Sequence, residues 1–106
     1  MTLYEILTDP NSGLGIPCAY SHFRDDLAPA RPPYLVYLGD GQEDFAADNT
    51  YYHKENRYRL EYYFTEKDEE TEDRIEELLL ANGYLYDKSE DVFIESEDVF
   101  VIYYSI

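Results

Sequence analysis

The chain has no tryptophan, one cysteine and only 8 basic residues in a length of 106. A lone Cys18 cannot close an intrachain disulfide, so the fold does not depend on an oxidising compartment and a cytosolic origin is the expectation. Against the 8 bases stand 24 acids, and the resulting formal net charge of −16 repels phosphate backbones, which argues against direct nucleic-acid binding. No apolar run approaches the roughly 18 residues of a membrane span, and no basic region precedes the apolar residues of Met1-Thr2-Leu3-Tyr4-Glu5-Ile6-Leu7. Neither an export signal nor a membrane anchor is expected.

What is present points to a folded domain. Apolar residues make up 44% of the chain and aromatics 17%, far more than a disordered acidic tail carries. The length suits one domain spanning 1–106 with one core. The aromatics are 13 Tyr and 5 Phe, rings of which most carry a hydroxyl that must reach water or a partner. Such a composition fits strands with one wet face, or an interface.

Thr2 and Glu5 match the capping-box spacing, and Leu3, Ile6 and Leu7 fall on one helical face, so a short first helix is predicted, ended by Asp9-Pro10-Asn11-Ser12-Gly13. Alternation over Ile16 to Phe23 predicts a strand, followed by a loop over Arg24 to Pro33. Tyr34 to Leu38 reads as a strand stopped by Gly39-Asp40-Gly41, a hairpin turn, with its partner over about Glu43 to His53. A second turn at Lys54-Glu55-Asn56 then leads into a strand over Arg57 to Thr65. In that strand Tyr58, Leu60, Tyr62 and Phe64 share the core face, while Arg57, Arg59, Glu61 and Tyr63 share the other.

Thr65 with Asp68 three residues on predicts the start of a long helix, whose face carries Ile75, Leu78, Leu79 and Asn82 before an Asn82-Gly83 stop. Ser89-Glu90-Asp91-Val92-Phe93 repeats as Ser96-Glu97-Asp98-Val99-Phe100 at a seven-residue interval. A coiled coil is excluded, because the repeat occurs only twice and its residues are β-branched or acidic. The repeat reads instead as a terminal hairpin over Val92 to Glu95 and Val99 to Tyr104. The predicted fold class is α+β: a mostly antiparallel sheet, made of a three-stranded meander plus a C-terminal hairpin, with one long amphipathic helix and a short N-terminal helix packed on one face.

No constellation signals catalysis. Cys18 and His22, with His53 as a third candidate, fall short of the four ligands of a structural zinc site, and no motif surrounds them that would make a Cys–His nucleophile. Asp40-Gly41-Gln42-Glu43-Asp44 lacks the alternating acids of a calcium loop. Gly13-Leu14-Gly15 lacks the third glycine and the lysine of phosphate-binding loops. No enzyme activity, metal or cofactor is expected. The segment Glu66 to Glu77 stands out: eight acids against Lys67 and Arg74. Like charges at i, i+4 destabilise a helix by a few tenths of a kcal/mol per pair, so their concentration implies a use.

Pro33-Tyr34-Leu35-Val36-Tyr37, Asp48-Asn49-Thr50-Tyr51-Tyr52, Arg59 to Thr65, the acidic helix and the closing Val99-Phe100-Val101-Ile102-Tyr103-Tyr104 together give a pattern that resembles the tail-terminator and tail-completion (neck) proteins of long-tailed bacteriophages and prophages of Gram-positive bacteria. The resemblance implies a homo-oligomeric ring, commonly a hexamer, that meets phage tail or head-completion proteins in the virion after synthesis in the host cytoplasm. It implies assembly and no catalysis. Ring closure needs two different patches that meet. The candidates are Tyr51, Tyr52, Tyr63 and Tyr103 with Arg57 and Arg59, although ordinary half-exposed strand aromatics would look the same. Glu69, Glu70, Glu72, Asp73, Glu76 and Glu77 would then line a surface that keeps passing DNA from sticking. The alternative use of that charge is an acidic DNA mimic that occupies a host nucleic-acid-binding protein.

Overall fold

A computed structural model describes residues 2–21, 31–47 and 51–106, with the backbone alone described for 41–47 and 51–56. The element order is α1 (Leu3–Thr8), β1 (Cys18–Tyr20), β2 (Tyr34–Ala47), β3 (Tyr51–Phe64), α2 (Glu69–Ala81), β4 (Asp87–Lys88), β5 (Val92–Ile94) and β6 (Val99–Ser105). The class is α+β, with two helices and a mixed sheet of six strands among the described residues, ordered β1-β2-β3-β6-β4, β5 also pairing with β6. The β1–β2 pair is parallel and the others antiparallel.

The capping box of α1 forms as the sequence predicts: Thr2 N donates to Glu5 Oε1 at 3.0 Å and Glu5 N donates to Thr2 Oγ1 at 3.2 Å. Leu3, Ile6 and Leu7 turn inward. Strand β1 is shorter than the predicted Ile16 to Phe23, and His22 and Phe23 lie outside the described residues.

The predicted three-stranded meander is a two-stranded hairpin. Strand β2 runs on through Gly39-Asp40-Gly41, where a turn was expected, and the pairing extends from Tyr34↔Tyr63 out to Ala47↔Tyr51. The expected turn at Lys54-Glu55-Asn56 is strand as well. Gly39 pairs with Tyr58 and Gln42 with Asn56, so Asp40 and Gly41 together oppose the single residue Arg57. That two-against-one count is a β-bulge. The Asp-Gly step serves a bulge as readily as a turn, and pairing along two long strands outweighs a local turn preference.

Helix α2 begins three residues later than the predicted Thr65 cap. Its cap is Asp68, which accepts from Thr71 N at 3.3 Å and from Thr71 Oγ1 at 2.8 Å. It stops where predicted: Gly83 adopts φ +85, and Tyr84 N returns to Leu79 O at 2.9 Å. The repeat becomes β5 and β6, joined through a turn in which Asp98 has φ +55. Strands β4 and β5 lie one after the other along the same edge of β6, pairing with Tyr104–Ser105 and Val99–Val101 respectively.

Both helices pack on one sheet face. The core joins Leu3, Leu7 and Leu14 with Ile75 and Leu79 of α2 over Leu35, Leu60, Tyr62, Phe64, Ile102 and Tyr104. By strand alternation the opposite face carries Tyr34, Val36, Arg59, Glu61, Tyr63, Val101 and Tyr103. Beyond Tyr58 the hairpin outruns the sheet: β6 pairs with β3 only from Arg59 to Phe64, and β1 meets β2 only at Leu35–Tyr37. Residues 42–47 and 51–56 therefore form a two-stranded ribbon with no third strand among the described residues.

Candidate functional site

The sheet-facing stripe of α2 is Glu72, Ile75 and Leu79, an i, i+3, i+7 series that puts a carboxylate in line with two aliphatic side chains. Glu72 is 2% exposed. A buried carboxylate needs partners, and two lysines supply them. Lys67 Nζ sits 2.8 Å from Glu72 Oε2, an ion pair without hydrogen-bond alignment, and donates to Oε1 at 3.1 Å. Lys88, projecting from β4, donates to Glu72 Oε1 at 2.9 Å and to Glu76 Oε2 at 2.8 Å. Tyr104 and Tyr86 donate their hydroxyls to Glu76 Oε2 and Oε1 at 2.9 and 3.1 Å. Lys67 also reaches Asp91 Oδ2 at 3.0 Å.

This network fixes protonation states. Burial pushes the Glu76 carboxyl up, but the bonds from Lys88, Tyr104 and Tyr86 outweigh it and hold the group below the usual carboxylate range. Burial draws Lys88 down, yet Glu76 and Glu72 outweigh it and hold its ammonium above the usual range. Burial, then the bond to Glu76, raises Tyr104 far above an ordinary tyrosine. Acid and donor are thus driven apart, which favours the charged pairing that ties α2 to the β4–β6 edge.

The sign of the pH dependence follows from those directions. Glu76 is lowered, so its contribution is present above its unfolded pKa and is lost as pH falls through its folded value. Tyr104 and Lys88 are raised, so theirs are complete below their unfolded values of about 10 and 10.5 and are lost as pH climbs through the folded ones. A tyrosinate absorbance titration is therefore expected to leave Tyr104 silent until alkaline unfolding. In Tyr104→Phe the step that accompanies unfolding should shrink by one tyrosine, and an unchanged step would show that Tyr104 titrates freely.

Of the six acids expected on one surface, Glu69, Glu70, Asp73 and Glu77 are exposed. Glu72 is buried and Glu76 half-buried, so both leave that surface for the network. Lys67, Lys88 and Arg59 are all engaged by carboxylates, which leaves the outer face of α2 with little cationic compensation. Arg74, the cation within α2, turns to the backbone of the loop after α1, donating to Leu14 O at 3.3 Å and Gly13 O at 3.5 Å. It borders an open depression of about 360 Å³ with Thr8, Asp9 and Asn11. Of its polar groups, Thr8 Oγ1 donates to Tyr4 O at 2.7 Å and Asp9 Oδ1 accepts from the backbone of Asn11 and Ser12.

The expected interface residues divide. Arg59, Tyr63 and Tyr103 meet around Glu61, a residue not among the expected ones, on the sheet face opposite α1 and α2. Arg59 Nε donates to Glu61 Oε2 at 3.0 Å and Tyr63 OH donates to Oε1 at 2.7 Å. The Arg59 guanidinium lies 5.7 Å from the centroid of the Tyr103 ring, and Tyr34 stacks on Tyr63 at 5.0 Å. Burial, followed by the bond to Glu61, pushes Tyr63 well above the ordinary tyrosine range. Arg57 belongs to the same alternating set and is half-buried. Of Tyr51 and Tyr52 only the backbone is described: they pair with Ala47 and Ala46 at the far end of the ribbon.

A second aromatic group, not anticipated as a set, lies at the end of the core face. Tyr37 has Tyr20 at 5.2 Å, Tyr4 at 6.3 Å and Tyr58 at 6.4 Å between ring centroids. Cys18 sits beside Tyr37, and burial pushes its thiol up from 9.0 to about 11. A two-unit rise leaves about a hundredfold less thiolate at neutral pH. Cys18 is accordingly expected to react with a disulfide reagent some two orders of magnitude more slowly than in the urea-unfolded chain, and equal rates would contradict this burial. Among the described residues no group of three or more His, Cys, Asp or Glu is placed to hold a metal ion. His22 and the side chain of His53 fall outside what is described.

No protein-family model, curated protein or solved structure matches this chain.

Proposed function

We propose that the protein is a structural subunit of a bacteriophage or prophage neck or tail, of the tail-terminator or tail-completion type, which acts by ring assembly and not by catalysis. The observation that carries this reading is the ribbon of residues 42–47 and 51–56, which extends beyond the sheet with no third strand among the described residues. Two-stranded ribbons are marginal in water by themselves, and a neighbouring subunit supplies what such a ribbon lacks. The exposed Glu69, Glu70, Asp73 and Glu77 support the same reading, since carboxylates toward a lumen keep passing DNA unbound. Deleting the gene from its phage or prophage should yield separate heads and tails, or tails of uncontrolled length, by electron microscopy. Intact particles of normal length would overturn the reading.

One observation favours a second reading, a DNA mimic. The exposed lysines near α2 pair with Glu72, Glu76 and Asp91, and among the described ion pairs none joins a cation to Glu69, Glu70, Asp73 or Glu77. A host nuclease or regulator retained on immobilised protein, and released by salt, would support it. Retention unchanged by Glu69→Gln, Glu70→Gln and Asp73→Asn together would remove it.

A further inference from the structure

The ribbon has two unlike edges. In β2 the stretch Asp40–Ala47 carries Asp40, Glu43 and Asp44 and no cation. In β3 the stretch Tyr51–Arg57 carries Lys54 and Arg57 against Glu55. One edge strand is therefore acidic and the other net basic. Within the ribbon Glu43 pairs with Glu55, and like charges directly opposite each other destabilise a strand pair. In the backbone register Asp44 stands opposite Lys54.

We infer that the ribbons of two copies add edge to edge, the β3 strand of one copy pairing with the β2 strand of the next. This rests on the reading as an assembly subunit and names the surface that would make the contact. Over residues 42–47 and 51–56 neither edge of the ribbon carries a further strand among the described residues, and a strand edge of that kind offers main-chain N–H and C=O groups to an added strand. Pairing β3 with β2 sets Lys54 and Arg57 of one copy beside Asp40, Glu43 and Asp44 of the other. Pairing β2 with β2 sets acid against acid, so charge selects the unlike pairing. A contact between two different edges repeats from copy to copy, and it closes a ring if the rotation between copies allows.

The test uses two charge-reversed full-length proteins, Lys54→Glu with Arg57→Glu, and Glu43→Lys with Asp44→Lys. Sedimentation equilibrium is measured for the wild type, for each variant and for their equimolar mixture, with circular dichroism to verify the fold of each. The wild type should self-associate, each variant alone should sediment as a monomer, and the mixture should regain the wild-type mass, because the reversed β3 edge of one variant meets the reversed β2 edge of the other with opposite sign, and their two unreversed edges meet as in the wild type. A wild type that stays monomeric up to its solubility limit overturns the edge pairing. So does association in which the variants alone match the wild type, or in which the mixture stays monomeric. The subunit reading fails separately, only when deletion leaves normal particles.

Discussion

Replacing Lys67 and Lys88 together by methionine is expected to cost about 3–5 kcal/mol at neutral pH, because it strands a carboxylate in a low-dielectric site without a counter-charge. Glu72 is 2% exposed, and these two ammonium groups are its ion-pair partners. Either lysine alone should cost less, since the other remains. The informative comparison is the triple variant that adds Glu72→Leu. Leucine is apolar, exceeds glutamate by about one methylene in volume and has a good helix propensity, so the triple variant should recover most of the loss. Urea unfolding of the four proteins at neutral pH measures this. A triple variant no more stable than the double would mean that the lysine stems, and not the charge balance, hold α2 in place.

Ile75→Ala is expected to cost about 2–5 kcal/mol, which for a domain of this size moves Tm by ten degrees or more. Ile75 and Leu79 are the two fully buried aliphatic side chains of α2, so the helix rests on a narrow stripe and a cavity under it has little to collapse against. Against a total stability of about 5–15 kcal/mol, that loss is a large share. The control is Leu85→Ala: this leucine is 83% exposed, and its truncation should fall within about 0.5 kcal/mol. Thermal melts of the two variants decide. Equal losses would mean that α2 is not docked as described.

The two variants also separate what the sequence discloses from what it conceals. Ile75 and Leu79 were legible from helical spacing, as were the Thr2–Glu5 capping box, the Asn82-Gly83 stop and the two strands drawn from the Ser-Glu-Asp-Val-Phe repeat. All rest on interactions within a few residues. Residue type places Glu72 outward, as charged residues in an acidic run usually are, yet it lies three residues before Ile75 on the same stripe. The signal was there in position and was outweighed by residue type. Its partners Lys67 and Lys88 lie 5 and 16 residues away, beyond any local pattern. The Asp40-Gly41 step failed for a related reason: its local chemistry suits a turn, and only the pairing of Gln42 through Ala47 with Tyr51 through Asn56 turns it into a bulge. Strand β4, two residues long, has no period to read.

The bulge at Asp40 and Gly41 divides the hairpin into a length that lies in the sheet and a length that pairs, among the described residues, only between β2 and β3. Reach is thereby uncoupled from folding. Adding one residue to each strand between the bulge and the hairpin tip would lengthen the ribbon by about 3.4 Å, without touching Leu35, Leu60 or Tyr62 in the core. Shortening it would do the reverse. On the edge pairing inferred above, the span between neighbouring copies would be reset by insertion or deletion in the ribbon, with Leu35, Leu60 and Tyr62 left in place.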